Sequence, residues 1–179
     1  MVTSLILVAS FAVSLVFASF FEWVLHKYFM HGVLHRGYPY RAHALVHHAV
    51  FSRGDRYYLQ DKKNRSLVTM AWWNGPVLFL INLPIPASAA WICDSVWVLI
   101  GSAAGFAAYY VAYEYLHWCM HVPANRWIER TRFFKWIDLH HRVHHLHPLK
   151  NLNVVLPVAD FVLRSRLAMP KEAALVGAR

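Results

Sequence analysis

The sequence predicts an all-α integral membrane protein with about three transmembrane helices and a cytosolic helical cap. Apolar residues make up 58% of the 179 residues, whereas a soluble domain contains roughly 45–50%. These residues are concentrated in a few long runs, and the basic residues lie outside the runs. We expect a single domain over residues 1–179, because no internal repeat or low-complexity linker divides the chain.

The first element is an uncharged apolar run that is long enough to cross a bilayer. A cleavable signal peptide is the alternative interpretation. It is disfavoured because the run has no basic segment before it and no clear small-residue cleavage site, and continues into Glu22. The three predicted spans cover residues 5–21, 67–83 and 96–116.

The second and third spans differ in regularity. The second is interrupted from Asn74 to Pro76, so a kink or a re-entrant turn is plausible there, and a short turn is predicted at residues 84–95. The third is long and carries Gly101 and Gly105 among alanines. Small residues at this spacing favour close helix packing within a membrane.

Charge predicts the topology. Eight of the 18 Lys and Arg residues lie between the first and second spans, and the other ten follow the third. With three spans, both regions lie on one side of the membrane, which the positive-inside rule assigns to the cytosol together with the C-terminus. The net charge of +9 is therefore interpreted as a topology signal, and no nucleic-acid partner is expected.

The 13 histidines follow the same partition, with six after the first span and seven after the third. They form four clusters: His26 and His31; His43, His47 and His48; His117 and His121; and His140, His141, His144 and His145. We expect interfacial or solvated side chains as readily as metal ligands at His35 and His147. A cluster set of this size predicts metal binding on the cytosolic side.

Spacing predicts how the clusters bind. Residues four apart lie on one face of an α-helix, so the pairs His43/His47, His117/His121 and His141/His145 are each expected to hold one ion. His26 and His31 are five apart, which predicts either different ions or a local break in the helix. About ten imidazoles suit two metal centres with four or five nitrogen ligands each. Zinc, iron, copper and nickel all accept imidazole.

Three carboxylates accompany the histidines as candidate catalytic residues. Glu22 and Glu114 precede a clustered histidine by four and three residues and lie near span ends, where an unpaired carboxylate is costly. We expect each to orient a ligand histidine, with a capping or interfacial charge as the alternative. Asp138 is predicted to play the same role for His141.

Two segments carry a family resemblance. The four clusters and the ending HHRVHHLHPLKNLNVVLPVADFVLRS resemble the fatty acid hydroxylase/sterol desaturase superfamily, and HKYFMHG is similar to the first histidine box of its bacterial beta-carotene hydroxylases. The second box is one residue longer than in the family, at His43. The resemblance implies two metal ions held by His26, His31, His43, His47, His48, His117, His121, His141, His144 and His145.

The resemblance also implies a function. It predicts O2-dependent hydroxylation or desaturation of a fatty acyl, sterol or carotenoid lipid by two iron ions, which zinc could replace in isolated protein. A separate electron donor such as a ferredoxin or cytochrome b5 is implied, because the sequence contains no recognisable flavin, haem or iron–sulfur segment. The aromatic residues expected to line a substrate channel are Tyr28, Phe29, Trp72, Trp73, Tyr113 and Trp118, although core packing is the default for each.

Two alternatives remain at this point. The first is a carotenoid ring hydroxylase of the same superfamily. The second is a membrane metal-binding or metal-transport protein without catalysis, which predicts histidines along a path through the spans. The three predicted spans contain none.

Overall fold

The computed structural model describes residues 2–168 and confirms the all-α class, with no β-strand in that range. The C-terminal end at Arg179, which the charge pattern predicts to be cytosolic, lies outside the described residues. The α-helices are α1 (Val2–Val24), α2 (Tyr38–Tyr40), α3 (His48–Val50), α4 (Asn74–Asn82), α5 (Pro84–Ile92), α6 (Val96–His121), α7 (Arg132–Leu146) and α8 (Val158–Val162). Two π-helical segments, Leu25–Met30 and Arg41–His47, adjoin α1 and α3, and 3-10 turns cover Gly54–Tyr57, Lys62–Leu67 and Ile128–Arg130.

Three helices are long and apolar enough to cross a membrane: Val2–Met30, Asn74–Ile92 and Val96–His121. The second runs later than the predicted 67–83. The turn predicted at 84–95 is helical up to Ile92, because Pro84 begins α5 at a position where a helix needs no backbone N–H. The chain reverses only at Asp94, which has a positive φ of 46°.

Helices α1 and α6 run parallel in close contact. A Cβ added at Gly101 would lie 2.5 Å from the carbonyl oxygen of Leu7, and one added at Gly105 would lie 2.8 Å from that of Phe11. The contact on α1 moves from Leu7 to Phe11 as the contact on α6 moves from Gly101 to Gly105, so the two helices run in the same direction. The sequence-based prediction of close packing at these glycines is confirmed.

Helix α4 runs antiparallel to α6. Gly75, near the start of α4, lies against the Tyr110 ring, and the Met70 amide before α4 donates to Glu114, further along α6. The C-terminal ends of α1 and α6 and the N-terminal end of α4 therefore share one end of the bundle. The regions that follow α1 and α6 fold onto this end, where they bury Phe51, Ile137 and many of the histidines.

Candidate metal centre

Ten histidines converge at this end of the bundle in two adjacent groups. The ligand nitrogens of His47, His117, His121, His141 and His145 lie within 4.8 Å of one another, and those of His26, His31, His43 and His144 do likewise. His48 joins the second group, since its Nε2 lies 3.1 Å from Nε2 of both His43 and His144. We call the two groups the His121 cluster and the His26 cluster, the latter including His48. Together they contain all ten histidines that were predicted as ligands.

The distances between ring nitrogens fit shared metal ions. Nε2 of His26 lies 2.9 Å from that of His43, and Nε2 of His141 lies 3.2 Å from that of His121. Two metal–imidazole bonds of about 2.1 Å, roughly at right angles, separate their nitrogens by about 3 Å. In the His121 cluster, the buried Nε2 atoms of His47 and His117 have no hydrogen-bond partner among residues 2–168. Each cluster can therefore hold a metal ion.

Backbone carbonyls orient five of these rings. A carbonyl oxygen only accepts hydrogen bonds, so a ring nitrogen bonded to it carries the proton and the opposite Nε2 keeps a free lone pair. The donating Nδ1 atoms and their acceptors are His26 with Leu152, His47 with Leu67, His121 with Tyr57, His144 with Lys150 and His145 with Phe51. The tautomer that a metal ligand needs is thus built into the fold.

The two π-helical segments explain the histidine spacing. In a π-helix the hydrogen bonds run over five residues, as from the His31 amide to the His26 carbonyl. His26 and His31 therefore lie in one cluster, as do His43 and His48. Of the two alternatives predicted for His26 and His31, the structure shows the local departure from α-helical geometry and not separate clusters. The predicted pairing of His43 with His47 on one ion is wrong, because His47 lies in the His121 cluster.

Helix α7 supplies both clusters. His141 and His145 lie in the His121 cluster, as their spacing predicted, and His144 lies in the His26 cluster. His140 belongs to neither, since its Nε2 contacts Asp160 at 2.9 Å. His35 and His147 are exposed and also lie outside both clusters.

Glu22 makes no hydrogen bond to His26 within residues 2–168, contrary to the prediction. It is buried, and its carboxylate accepts hydrogen bonds from the Tyr109 hydroxyl at 2.6 Å and the Val154 amide at 2.8 Å. Val154 lies two residues after Leu152, whose carbonyl accepts from His26. Glu22 thus acts on His26 through the chain segment that positions it.

Glu114 follows the same scheme on the other side. Its carboxylate accepts from the Met70 amide at 3.2 Å and does not bond a histidine. Met70 lies three residues after Leu67, whose carbonyl orients His47. The predicted direct contact is absent because both carboxylates turn toward neighbouring backbone amides, which would otherwise be left unpaired at the span ends.

Asp138 also misses its predicted partner. It accepts from the Tyr57 hydroxyl at 3.0 Å and from Arg142 at 2.8 Å, while His141 Nδ1 is buried with no hydrogen-bond partner among residues 2–168. The Tyr57 carbonyl orients His121. Asp138 therefore stabilises the His121 cluster through Tyr57, and not through a direct hydrogen bond to His141 as predicted.

Sequence reasoning missed Asp160, which is fully buried and accepts four hydrogen bonds. Its donors are the amides of Leu152 and Asn153, the Ser165 hydroxyl and His140. The signal was present as polar residues in the NLNVVLPVAD segment, which otherwise has the composition of a buried strand or helix.

Electrostatics leave the imidazoles neutral. Burial, followed by repulsion from neighbouring histidines, holds the pKa values of His43, His141, His144 and His145 well below their usual range. Burial lowers the pKa of His47 to about 4, against a partly compensating hydrogen bond to Leu67. Neutral imidazole is the metal-binding form, so at neutral pH the clusters need not lose protons to take up metal.

An apolar cavity of about 380 Å³ lies between α1, α4 and α6. Its lining includes Leu25 and Met30, which are next to clustered histidines in the chain, and Tyr113, whose ring centroid is 5.6 Å from that of His117. Of the six aromatic residues predicted to line a channel, only Tyr113 does so. The cavity therefore begins beside the histidine clusters and extends into the membrane-spanning part.

Comparisons with known proteins leave the family relationship a proposal. No protein-family model matches the chain, and neither a curated protein nor a solved structure is similar to it.

Proposed function

We propose that the protein is a membrane-bound di-iron oxygenase of the fatty acid hydroxylase/sterol desaturase superfamily. It hydroxylates or desaturates a lipid with O2 and electrons from a separate donor. The observation that supports this function most directly is the position of two five-histidine clusters at the inner end of an apolar cavity between spanning helices. A site of this kind brings an apolar chain and two metal ions together.

The ligand chemistry favours iron in an oxidising role. Among the described residues, neither cluster contains a carboxylate or a thiolate, and Cys119 belongs to neither. This distinguishes both clusters from the thiolate-rich sites of structural zinc. When bound, the iron ions supply O2 activation for attack on an unactivated C–H bond.

The protein itself positions the substrate and excludes water from the site. The cavity lining holds an apolar substrate in a fixed register, and Leu25, Met30 and Tyr113 enclose the end next to the clusters. Excluding water there strengthens electrostatic interactions and limits side reactions. The carbonyl-bonded histidines keep their Nε2 atoms aimed inward, so little reorganisation accompanies metal binding.

Orientation and electron supply belong to the same proposal. The histidine end would face the cytosol, where a ferredoxin or cytochrome b5 could reach the basic surface around Arg126, Arg130 and Arg132. A reporter inserted at Asp94, in the turn between α5 and α6, should then label from the non-cytosolic side. Cytosolic labelling at Asp94 would contradict the orientation and leave the metal centre unaffected.

The test of function combines metal analysis with turnover. Purified protein should carry close to two ions per chain, and iron-loaded protein should oxidise membrane lipid only with O2 and a reductant present. His145→Ala should lower metal content and turnover together, since His145 Nε2 lies 3.1 Å from that of His141. His147→Ala is the matched control, because His147 is exposed two residues further along the chain. Full turnover and metal content in His145→Ala, or lipid oxidation that is independent of O2, contradicts the proposal.

A further inference from the structure

Asn82 is a polar residue buried inside the apolar cavity. It lies at the end of α4, within the middle span, and its side chain is only 6% exposed. Its Nδ2 donates to the Leu78 carbonyl at 2.7 Å. Because that carbonyl only accepts, the amide nitrogen must face Leu78, and the amide oxygen must be the atom left over. Within residues 2–168, Asn82 Oδ1 accepts no hydrogen bond from protein.

An unpaired amide oxygen in a hydrocarbon setting is unfavourable, and buried polar groups within membrane spans commonly mark binding sites. The donor of Asn82 is satisfied by the backbone of its own helix, and this would hold equally if the side chain faced lipid. Its acceptor, however, belongs to a side chain that lines a cavity of about 380 Å³, which is large enough for a ligand. The acceptor needs an O–H or N–H group from a bound molecule.

The position of Asn82 gives that molecule a length. On each of three helices the cavity lining spans eight residues, which is seven helical rises: from Leu25 back to Ala18 on the first, from Gly75 to Asn82 on α4, and from Tyr113 back to Phe106 on α6. At about 1.5 Å per residue this is about 10 Å. Leu25 and Tyr113 mark the end next to the histidines, so Asn82 lies at the opposite end.

We infer that the cavity binds an elongated apolar alcohol whose hydroxyl group donates to Asn82 Oδ1. The hydroxyl lies about 10 Å from the part of the molecule next to the histidine clusters. That the near end is the reacting end rests on the proposed function, whereas the binding mode does not. Asn82 is then a specificity-determining residue that sets which carbon reaches the metal centre.

Photolabelling tests the binding mode on the full chain in phosphatidylcholine nanodiscs. The probes are a saturated alcohol with an extended length of about 10 Å and a diazirine near its methyl end, and the alkane that lacks only the hydroxyl. The alcohol should label Met30, Met70 or Tyr113 about 3- to 10-fold more than the alkane, as expected of one hydrogen bond in an apolar site. A diazirine placed next to the hydroxyl should instead label Ala18 or Phe106.

Two variants complete the experiment. Asn82→Leu removes the acceptor at nearly constant volume and should bring the alcohol-to-alkane ratio to about one. Leu80→Ala is the control, since Leu80 faces outward and does not line the cavity, and it should keep the wild-type ratio. If Asn82→Leu does not fold, the shift of labelled residues with diazirine position in the wild-type chain decides alone.

Equal labelling by alcohol and alkane in the wild type, an unchanged ratio in Asn82→Leu, or labelling that ignores the diazirine position would each overturn the inference. The labelling needs neither metal nor turnover. Failure of lipid oxidation with successful labelling therefore removes the proposed function and leaves the alcohol site. The converse result leaves the function and removes the site.

Discussion

Replacing Asp160 by Asn should selectively weaken metal binding at the His26 cluster. Each carboxylate oxygen of Asp160 accepts two hydrogen bonds: Oδ1 from the Leu152 amide and Ser165, and Oδ2 from the Asn153 amide and His140. Burial alone would raise the pKa of Asp160, but the hydrogen bonds from His140 and Ser165 outweigh it and hold the pKa below its usual value. The group is therefore a carboxylate with all four acceptor positions in use.

The magnitude follows from these contacts. An amide at residue 160 turns one of the two oxygens into a donor that faces two other donors. Each lost hydrogen bond to a charged group costs about 1.5–3 kcal/mol, so the segment from Lys150 to Asn153 must move. That segment supplies the carbonyls of Leu152 and Lys150, which orient His26 and His144. Loss of such outer partners typically lowers metal affinity about 10- to 100-fold.

The assay is metal occupancy as a function of free metal concentration, followed by elemental analysis. Wild-type protein should show two ions per chain, and Asp160→Asn should show about one over the concentration range where the weakened site is empty. Asp138→Asn should instead weaken the other site, because Asp138 bonds Tyr57, whose carbonyl orients His121. Asp61→Asn is the control, since Asp61 caps an exposed 3-10 turn. Loss of both ions in parallel from Asp160→Asn, or wild-type affinity at both sites, refutes the reasoning.

Two further predictions concern packing and pH. Gly101→Ala or Gly105→Ala should lower the free energy of unfolding in detergent by about 1–3 kcal/mol, because the added methyl meets backbone of α1; Ala104→Val, at an exposed position, should change it little, and equal effects would contradict the close-contact model. Metal-free protein should lose stability as the pH falls from about 6.5 towards 4. The pKa of His47 is lowered to about 4 in the fold, so the unfolded chain takes up a proton first, at a cost of roughly 3 kcal/mol for this residue. Denaturation midpoints measured across this range check the sign, and stability that rises on acidification would show that the histidines are not buried neutral.

The fold class was predictable because membrane spans are recorded in composition over long windows. Runs of some twenty apolar residues and the one-sided distribution of Lys and Arg depend little on tertiary contacts. The bounds of the second span were not predictable from the same signal. A proline normally marks a break in a helix. Only the structure shows that Pro84 begins another helix, α5, and not a loop.

The sequence predicted which ten histidines would come together. It did not predict how they divide between the two clusters or which groups orient them. Histidine clusters on one side of the spans indicated ten ligands, and all ten converge. The division of the histidines between two clusters depended on π-helical hydrogen bonds at His26 and His43, which an assumption of α-helical geometry misassigns. The spacing of five residues in His26/His31 and in His43/His48 was the available signal. The roles of Glu22, Glu114 and Asp138 depended on backbone amides from distant segments, which no local spacing reveals.

Each of the two histidine clusters takes residues from both halves of the chain. The His26 cluster takes four histidines from the region after α1 and His144 from α7, whereas the His121 cluster takes His47 from the first region and the rest from α6 and α7. Each ion would therefore bridge the two halves, so that metal binding free energy contributes to joining them. The close parallel contact of α1 with α6 at Gly101 and Gly105 brings the ends of both helices to the same level. Helix packing in the membrane thus sets the register that the histidines require, and ten neutral imidazoles without an ion gain little from converging on their own.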